Sequence, residues 1–182
     1  MTLAVTGGGR GQPPSGSRTS KTYDATITAG PMELNRDFSE FIASCTARNV
    51  RFLIVGGYAV AAHGHPRFTK DLDVWVWLDR SNAEYLLLAL GDFGFGALGL
   101  TPTDFLEEGV VVQLGYPPNR IDILTAIDGV DFQACWERRT EVTIGGQVVP
   151  FLAAEDLIVN KRASGRPQDL ADAAVLEDSA DS

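Results

Sequence analysis

Asp71-Leu72-Asp73 sets two carboxylates two residues apart in Asp71–Leu78, a run that alternates like a β-strand. Leu72, Val74, Val76 and Leu78 line one face, and Asp71, Asp73, Trp75 and Trp77 the other. Paired carboxylates repel and raise one another's pKa unless a cation sits between them. Hard oxygen donors of this kind suit Mg²⁺, usually held by one or two carboxylates together with substrate phosphates. A third acid, Asp122, lies between apolar neighbours in Arg120-Ile121-Asp122-Ile123-Leu124, where an unpaired charge is costly. If that strand neighbours the first, three aspartates converge on one metal site. Gly56-Gly57, between an apolar strand and a short helix, supplies the complementary half, because glycines let backbone approach a ligand closely and leave N–H groups free. A triphosphate fits there, with its β- and γ-phosphates on the turn and aspartate-held metals at the α-phosphate and an attacking hydroxyl.

The surrounding chain is patterned to hold these groups. Phe38, Phe41, Ile42 and Cys45 recur at helical spacing, with Asn35 or Asp37 as the cap and Asn49 at the end. Arg51–Val55 reads as a short buried strand, Tyr58–His63 as one or two helical turns, and Gly64–Lys70 as a loop before the aspartate strand. Ser81 is positioned to cap a helix through about Leu90, and the glycine-rich stretch 91–108 is ambiguous. Strands Val110–Leu114 and Ile121–Leu124 follow, separated by Pro117-Pro118, then a helix over Asp131–Arg138. Gly145-Gly146 turns a hairpin of Glu141–Ile144 and Gln147–Val149, and two helices, Ala154–Ala163 and Pro167–Leu176, break at Gly165.

The whole chain has 182 residues, 15 Lys and Arg against 24 Asp and Glu, and a formal net charge of −9. That balance argues against a broad nucleic-acid footprint, which needs an excess of basic residues. Residues 1–31, rich in Gly, Pro, Ser and Thr, carry Arg10, Arg18 and Lys21 against Asp24 alone, so the remainder is more acidic still. This stretch reads as a disordered leader before one domain at 32–178 and a tail at 179–182. Leu3–Gly11 resembles the glycine turn that opens short-chain dehydrogenases, but Pro13-Pro14 replaces the final glycine and no helix follows to hold a pyrophosphate. Cys45 and Cys135 are far apart and form no metal or disulfide pattern. No run is long and apolar enough to span a bilayer, so a cytoplasmic location without membrane partners is expected.

Val55-Gly56-Gly57, a 13-residue spacer, Asp71-Leu72-Asp73-Val74 and a later strand acid at Asp122 resemble the signature of the DNA polymerase β superfamily of nucleotidyltransferases. Thr69-Lys70-Asp71-Leu72-Asp73 preceded by Arg67 is similar to the AbiEii-like group found in toxin–antitoxin pairs and its small uncharacterised relatives. Leu152–Lys161 and Arg166–Asp172 resemble that group's C-terminal helical segments. The resemblance covers roughly residues 37–177. AbiEii-like toxins carry a further helical domain, whereas only about ten residues follow Asp172, so the likeness is to the minimal catalytic core.

The resemblance implies an α+β nucleotidyltransferase fold, a mixed sheet of about five strands flanked by helices with a helical C-terminal segment. It implies transfer of a nucleoside monophosphate from an NTP to an acceptor hydroxyl with release of pyrophosphate, using two Mg²⁺ ions or Mn²⁺. Asp71, Asp73 and Asp122 would be catalytic and metal-binding. Gly56, Gly57, Lys161, Arg67 and Thr69 would bind the nucleotide. The acceptor stays open among tRNA, protein and small molecule, and an antitoxin partner is implied by the toxin-like relatives. An aminoglycoside-type enzyme is an alternative, since a polycation suits an acidic cleft. A catalytically inactive nucleotide-binding or antitoxin-partnered module is the other. For tRNA, Arg138, Arg139, Lys161, Arg162 and Arg166 are the basic candidates. Asp169 and Asp172 would either position the acceptor hydroxyl or cap and solvate a helix start. His63 and His65 read as turn residues, and Trp75 and Trp77 as packing.

Overall fold

The computed structural model describes residues 5–6 and 34–180. Apart from Val5–Thr6, the expected leader and its glycine turn lie outside the described residues. Helix α1 (Arg36–Ala47) starts where Asn35 Oδ1 accepts a hydrogen bond from the Phe38 N–H at 2.9 Å, and its stripe of Phe38, Phe41, Ile42 and Cys45 is buried. Strand β2 (Phe52–Ile54), helix α2 (Gly56–Ala62) and strand β3 (Asp71–Val76) follow. Helix α2 therefore begins at the glycines themselves, two residues before the expected start, because Gly56 has a positive φ of 62° and can turn the chain directly out of the strand.

Helix α3 (Arg80–Asp92) is capped by Asp79, not Ser81; Asp79 Oδ1 accepts from the Asn82 N–H at 3.0 Å. The ambiguous stretch holds two 3₁₀ turns, Gly96–Leu98 and Pro102–Phe105, the second closed by Thr101 and Asp104 in a capping box. Strands β4 (Val111–Leu114) and β5 (Arg120–Leu124), helix α4 (Phe132–Arg138), hairpin β6 (Thr140–Ile144) and β7 (Gln147–Phe151), and helices α5 (Ala154–Ser164) and α6 (Pro167–Ala180) complete the order.

The strands form one mixed sheet in the order β1-β4-β5-β3-β2-β7-β6, where β1 is Val5–Thr6, paired antiparallel with β4. This is the expected α+β mixed-sheet architecture, with seven strands among the described residues. The central β3 lies antiparallel to β2 and parallel to β5. Leu72, Val74 and Val76 point from one face of β3 into the core and are fully or almost fully buried. On the opposite face Trp75 packs edge-on against Phe132 of α4 at 4.9 Å between ring centroids, and Arg51 lies 4.6 Å over the Trp77 ring. Both indoles thus serve packing, as expected from the area each must hide. Both cysteines are buried and free. No helix among the described residues is long and apolar enough to cross a membrane.

Candidate functional site

The parallel pairing of β3 with β5 sets Asp73 opposite Asp122 and Asp71 opposite Arg120. Period-two alternation then puts all four side chains on one face, where they line a cavity of about 460 Å³ together with Gly56, Gly57, Arg67, Thr69 and Lys161. Every residue expected in the site therefore borders the same space.

The glycine turn is fitted against the acids. The Val55 N–H donates to the Asp73 carbonyl at 3.0 Å, tying the turn to β3. A Cβ on Gly56 would stand 2.0 Å from Asp73 Oδ2, and one on Gly57 would stand 2.9 Å from the Thr69 side chain and 3.3 Å from Arg67 Cζ. Only residues without a side chain let backbone, carboxylate and loop meet this closely.

The electrostatics are unequal among the acids. Asp73 is pushed up to about 7 by burial first, then by the charges of Asp122 and Asp71. Burial also raises Asp71, although Arg120 pulls the other way. The sequence reading missed Arg120. Its Nη2 donates to Asp71 Oδ2 at 2.6 Å and to Asp122 Oδ2 at 2.9 Å, and its Nε donates to Asp122 Oδ1 at 2.8 Å. The available signal was a basic residue two before Asp122 on the same strand, hence on the same face.

The donor set fits a divalent cation. Asp71 Oδ1 is buried without a hydrogen-bond partner, and Asp73 is a carboxyl held against two like charges, a strain that a cation relieves. Among the described residues no three acidic, histidine or cysteine side chains already stand grouped to hold a metal alone. Arg120 occupies two of the three carboxylates, and Mg²⁺ ordinarily completes its shell with substrate phosphates and water.

Lys161 borders the cavity but is only 4% exposed. Its Nζ pairs closely with Asp169 Oδ1 and lies 3.2 Å from Asp172 Oδ2. Arg67 Nη2 joins Asp172 at 3.0 Å, while Arg166 and the Ser164 hydroxyl donate to Asp169 Oδ2 at 2.5 and 2.8 Å. Asp169 and Asp172 are therefore buried lynchpins between α5, α6 and the loop before β3, and they do not solvate a helix start. Burial pushes both carboxyls up, but hydrogen bonds from Lys161, Ser164 and Arg166 to Asp169, and from Gln168, Arg67 and Lys161 to Asp172, outweigh it and hold both below the usual carboxylate range. The charge of Lys161 reaches Asp73 and helps offset the acids from a distance.

The remaining candidates separate from the site. The His63 Nε2 meets the Leu152 carbonyl at 2.8 Å, and His65 Nε2 meets the Ser179 hydroxyl at 2.8 Å, so the two do not form a ligand pair. Each of the five basic residues considered for tRNA carries an acidic partner: Arg138 with Asp156, Arg139 with Glu141, Arg162 with Glu177, Arg166 with Asp169, and Lys161 as above.

Comparison with curated proteins found no match. Residues 32–177 match the family described as nucleotidyltransferase of unknown function (DUF6036). That span covers most of the chain and contains the glycine turn, all three aspartates and the Lys161 network, so the protein belongs to this nucleotidyltransferase family.

Proposed function

We propose that the chain transfers a nucleoside monophosphate from a metal-bound NTP to the hydroxyl of a small-molecule or protein acceptor, releasing pyrophosphate. The observation that carries this reading is the β3–β5 register, which sets Asp73 beside Asp122, with Asp73 directly against the Gly56 turn. A divalent cation held by Asp71, Asp73 and Asp122 would polarise the α-phosphate and favour the acceptor alkoxide. The protein's own part is positioning and charge. Gly56 and Gly57 admit the triphosphate to within backbone reach, since a side chain at either position would collide with Asp73 or Thr69. Arg67 and Thr69 flank that approach. Lys161, locked by Asp169 and Asp172, braces the wall of the cavity and lends positive potential to Asp73 without leaving its partners. Asp122, alone among the three acids in accepting two bonds from Arg120 besides a 3.4 Å contact from Gln113, is the carboxylate whose orientation is most restrained.

A tRNA acceptor fits less well. All five candidate basic side chains are paired with acids, so the positive charge each would bring to a phosphate is offset locally. The test is to incubate the purified protein with Mg²⁺, each labelled NTP and panels of hydroxyl acceptors, following pyrophosphate release, with Asp73→Asn as control. Absence of metal-dependent NTP binding by the wild type would sink the proposal.

A further inference from the structure

Between Asp71 and Asp122, where one cation can bridge two carboxylates, the chain places a cation of its own. The parallel register leaves Arg120 no other side of the sheet to occupy, since it pairs with Asp71 and sits two residues before Asp122. Its guanidinium takes Asp71 Oδ2 and both oxygens of Asp122 at 2.6 to 2.9 Å. Three of the four oxygens of these two carboxylates are thereby satisfied, and the fourth, Asp71 Oδ1, is buried without a partner. Asp73 lies on the same face and lines the same cavity.

Resting on the nucleotidyl-transfer reading above, we propose that Arg120 is a positioning residue that serves as the resident counter-cation of the acid site. It holds Asp71 and Asp122 aligned in the metal-free protein and competes with the divalent cation for the same oxygens, so the cation binds as the guanidinium withdraws. The geometry sets up a competition at three of these oxygens, Asp71 Oδ2 and both of Asp122. A guanidinium has donors only, and a carboxylate lone pair it occupies is not available to a metal that needs contacts near 2.1 Å. Two cations at that spacing also repel. The Arg120 side chain is 27% exposed, so it has solvent into which its head can move. Arg120 thus spares the free protein the repulsion of three clustered carboxylates, at the expense of metal affinity.

The distinguishing sign is the direction of the affinity change. A purely structural strap, once removed, disorders the acids and weakens metal binding; a competitor, once removed, strengthens it. Free Mn²⁺ is titrated by electron paramagnetic resonance against wild type, Arg120→Gln, Arg120→Lys and Asp73→Asn, without nucleotide, alongside thermal denaturation. Arg120→Gln is expected to melt below wild type without metal yet to bind Mn²⁺ about tenfold more tightly, the effect of removing one nearby unit charge from a partly solvated site. Arg120→Lys, which keeps the charge, is expected to stay near wild type. Equal or weaker Mn²⁺ binding by Arg120→Gln, with wild type still binding, overturns the competitor role and leaves the nucleotidyltransferase reading standing. No Mn²⁺ binding by wild type or variant overturns the competitor role, while the nucleotidyltransferase reading is judged separately by metal-dependent NTP binding. Should Arg120→Gln fail to fold, the wild type is decisive alone: the Arg120 Nε–H resonance is expected to shift or broaden as Mg²⁺ is added. An unmoved Arg120 signal while the Gly56 amide reports binding overturns the proposal.

Discussion

Replacing Asp73 by Asn should make the metal-free protein more stable above neutral pH and leave it unchanged in acid. The carboxyl rises from its ordinary 3.8 to about 7 in the fold, so its proton is held more tightly folded than unfolded. A raised value contributes stability that is complete below 3.8 and is lost as the pH climbs through about 7. The gap of about three pH units corresponds to ~4 kcal/mol at its limit, at ~1.36 kcal/mol per unit. Asp73 retains some contact with solvent, and salt screens its neighbours, so about 2 kcal/mol at pH 8 is the working figure. For a domain of this size that is ~4–8 °C in Tm. The assay is urea denaturation of wild type and Asp73→Asn at pH 5 and pH 8 in chelator, each repeated with excess Mg²⁺. The variant should gain on the wild type between pH 5 and pH 8, and Mg²⁺ should restore the wild type at pH 8 while doing little for the variant. A variant no more stable than wild type at pH 8 in chelator would refute the claim that Asp73 is an uncompensated charge.

Gly56→Ala combines a positive φ with a Cβ driven onto Asp73 Oδ2, so a loss of about 1–3 kcal/mol and of NTP binding is expected, read by denaturation and nucleotide titration. Lys161→Met removes the cation shared by Asp169 and Asp172, while Arg166 and Ser164 still hold Asp169 and Arg67 and Gln168 still hold Asp172, so a cost of about 1–3 kcal/mol is expected. Because both acids are depressed, that stabilisation exists above the ordinary carboxylate range and vanishes as pH falls through their lowered values; the gap between variant and wild type should close in acid, and a constant gap counts against the pairing. Burial raises the thiols of Cys45 and Cys135, so neither should react with a thiol reagent at neutral pH until denaturant unfolds the chain.

Much of the site is legible because its signals are local. Period two puts Asp71 and Asp73 on one face whatever the strand's neighbours, and Gly56-Gly57 announces a turn that no other residues tolerate there. The apolar stripe of α1 and the Gly145-Gly146 hairpin are equally short-range. Misreadings arise where two local options compete. Ser81 and Asp79 are both competent caps, and the choice fell to Asp79, whose neighbour Asn82 is drawn inward to bond the Arg51 N–H at 2.7 Å across the fold.

The sequence by itself determined the chemical inventory: three strand acids, a glycine turn before them, and a lysine followed by two aspartates downstream, in an order that marks the family. Only the tertiary structure decided who faces whom. Parallel pairing of β3 with β5 brought Asp122 to Asp73 across 49 residues of chain and delivered Arg120 into the acids with it. The packing of α5 against α6 buried Lys161 between Asp169 and Asp172 at the border of the cavity, a pairing that spacing along the chain does not reveal. Charge pairing depends on distance in space, which falls off within a few ångströms, and spacing along the chain carries that information only within one strand or one helical turn.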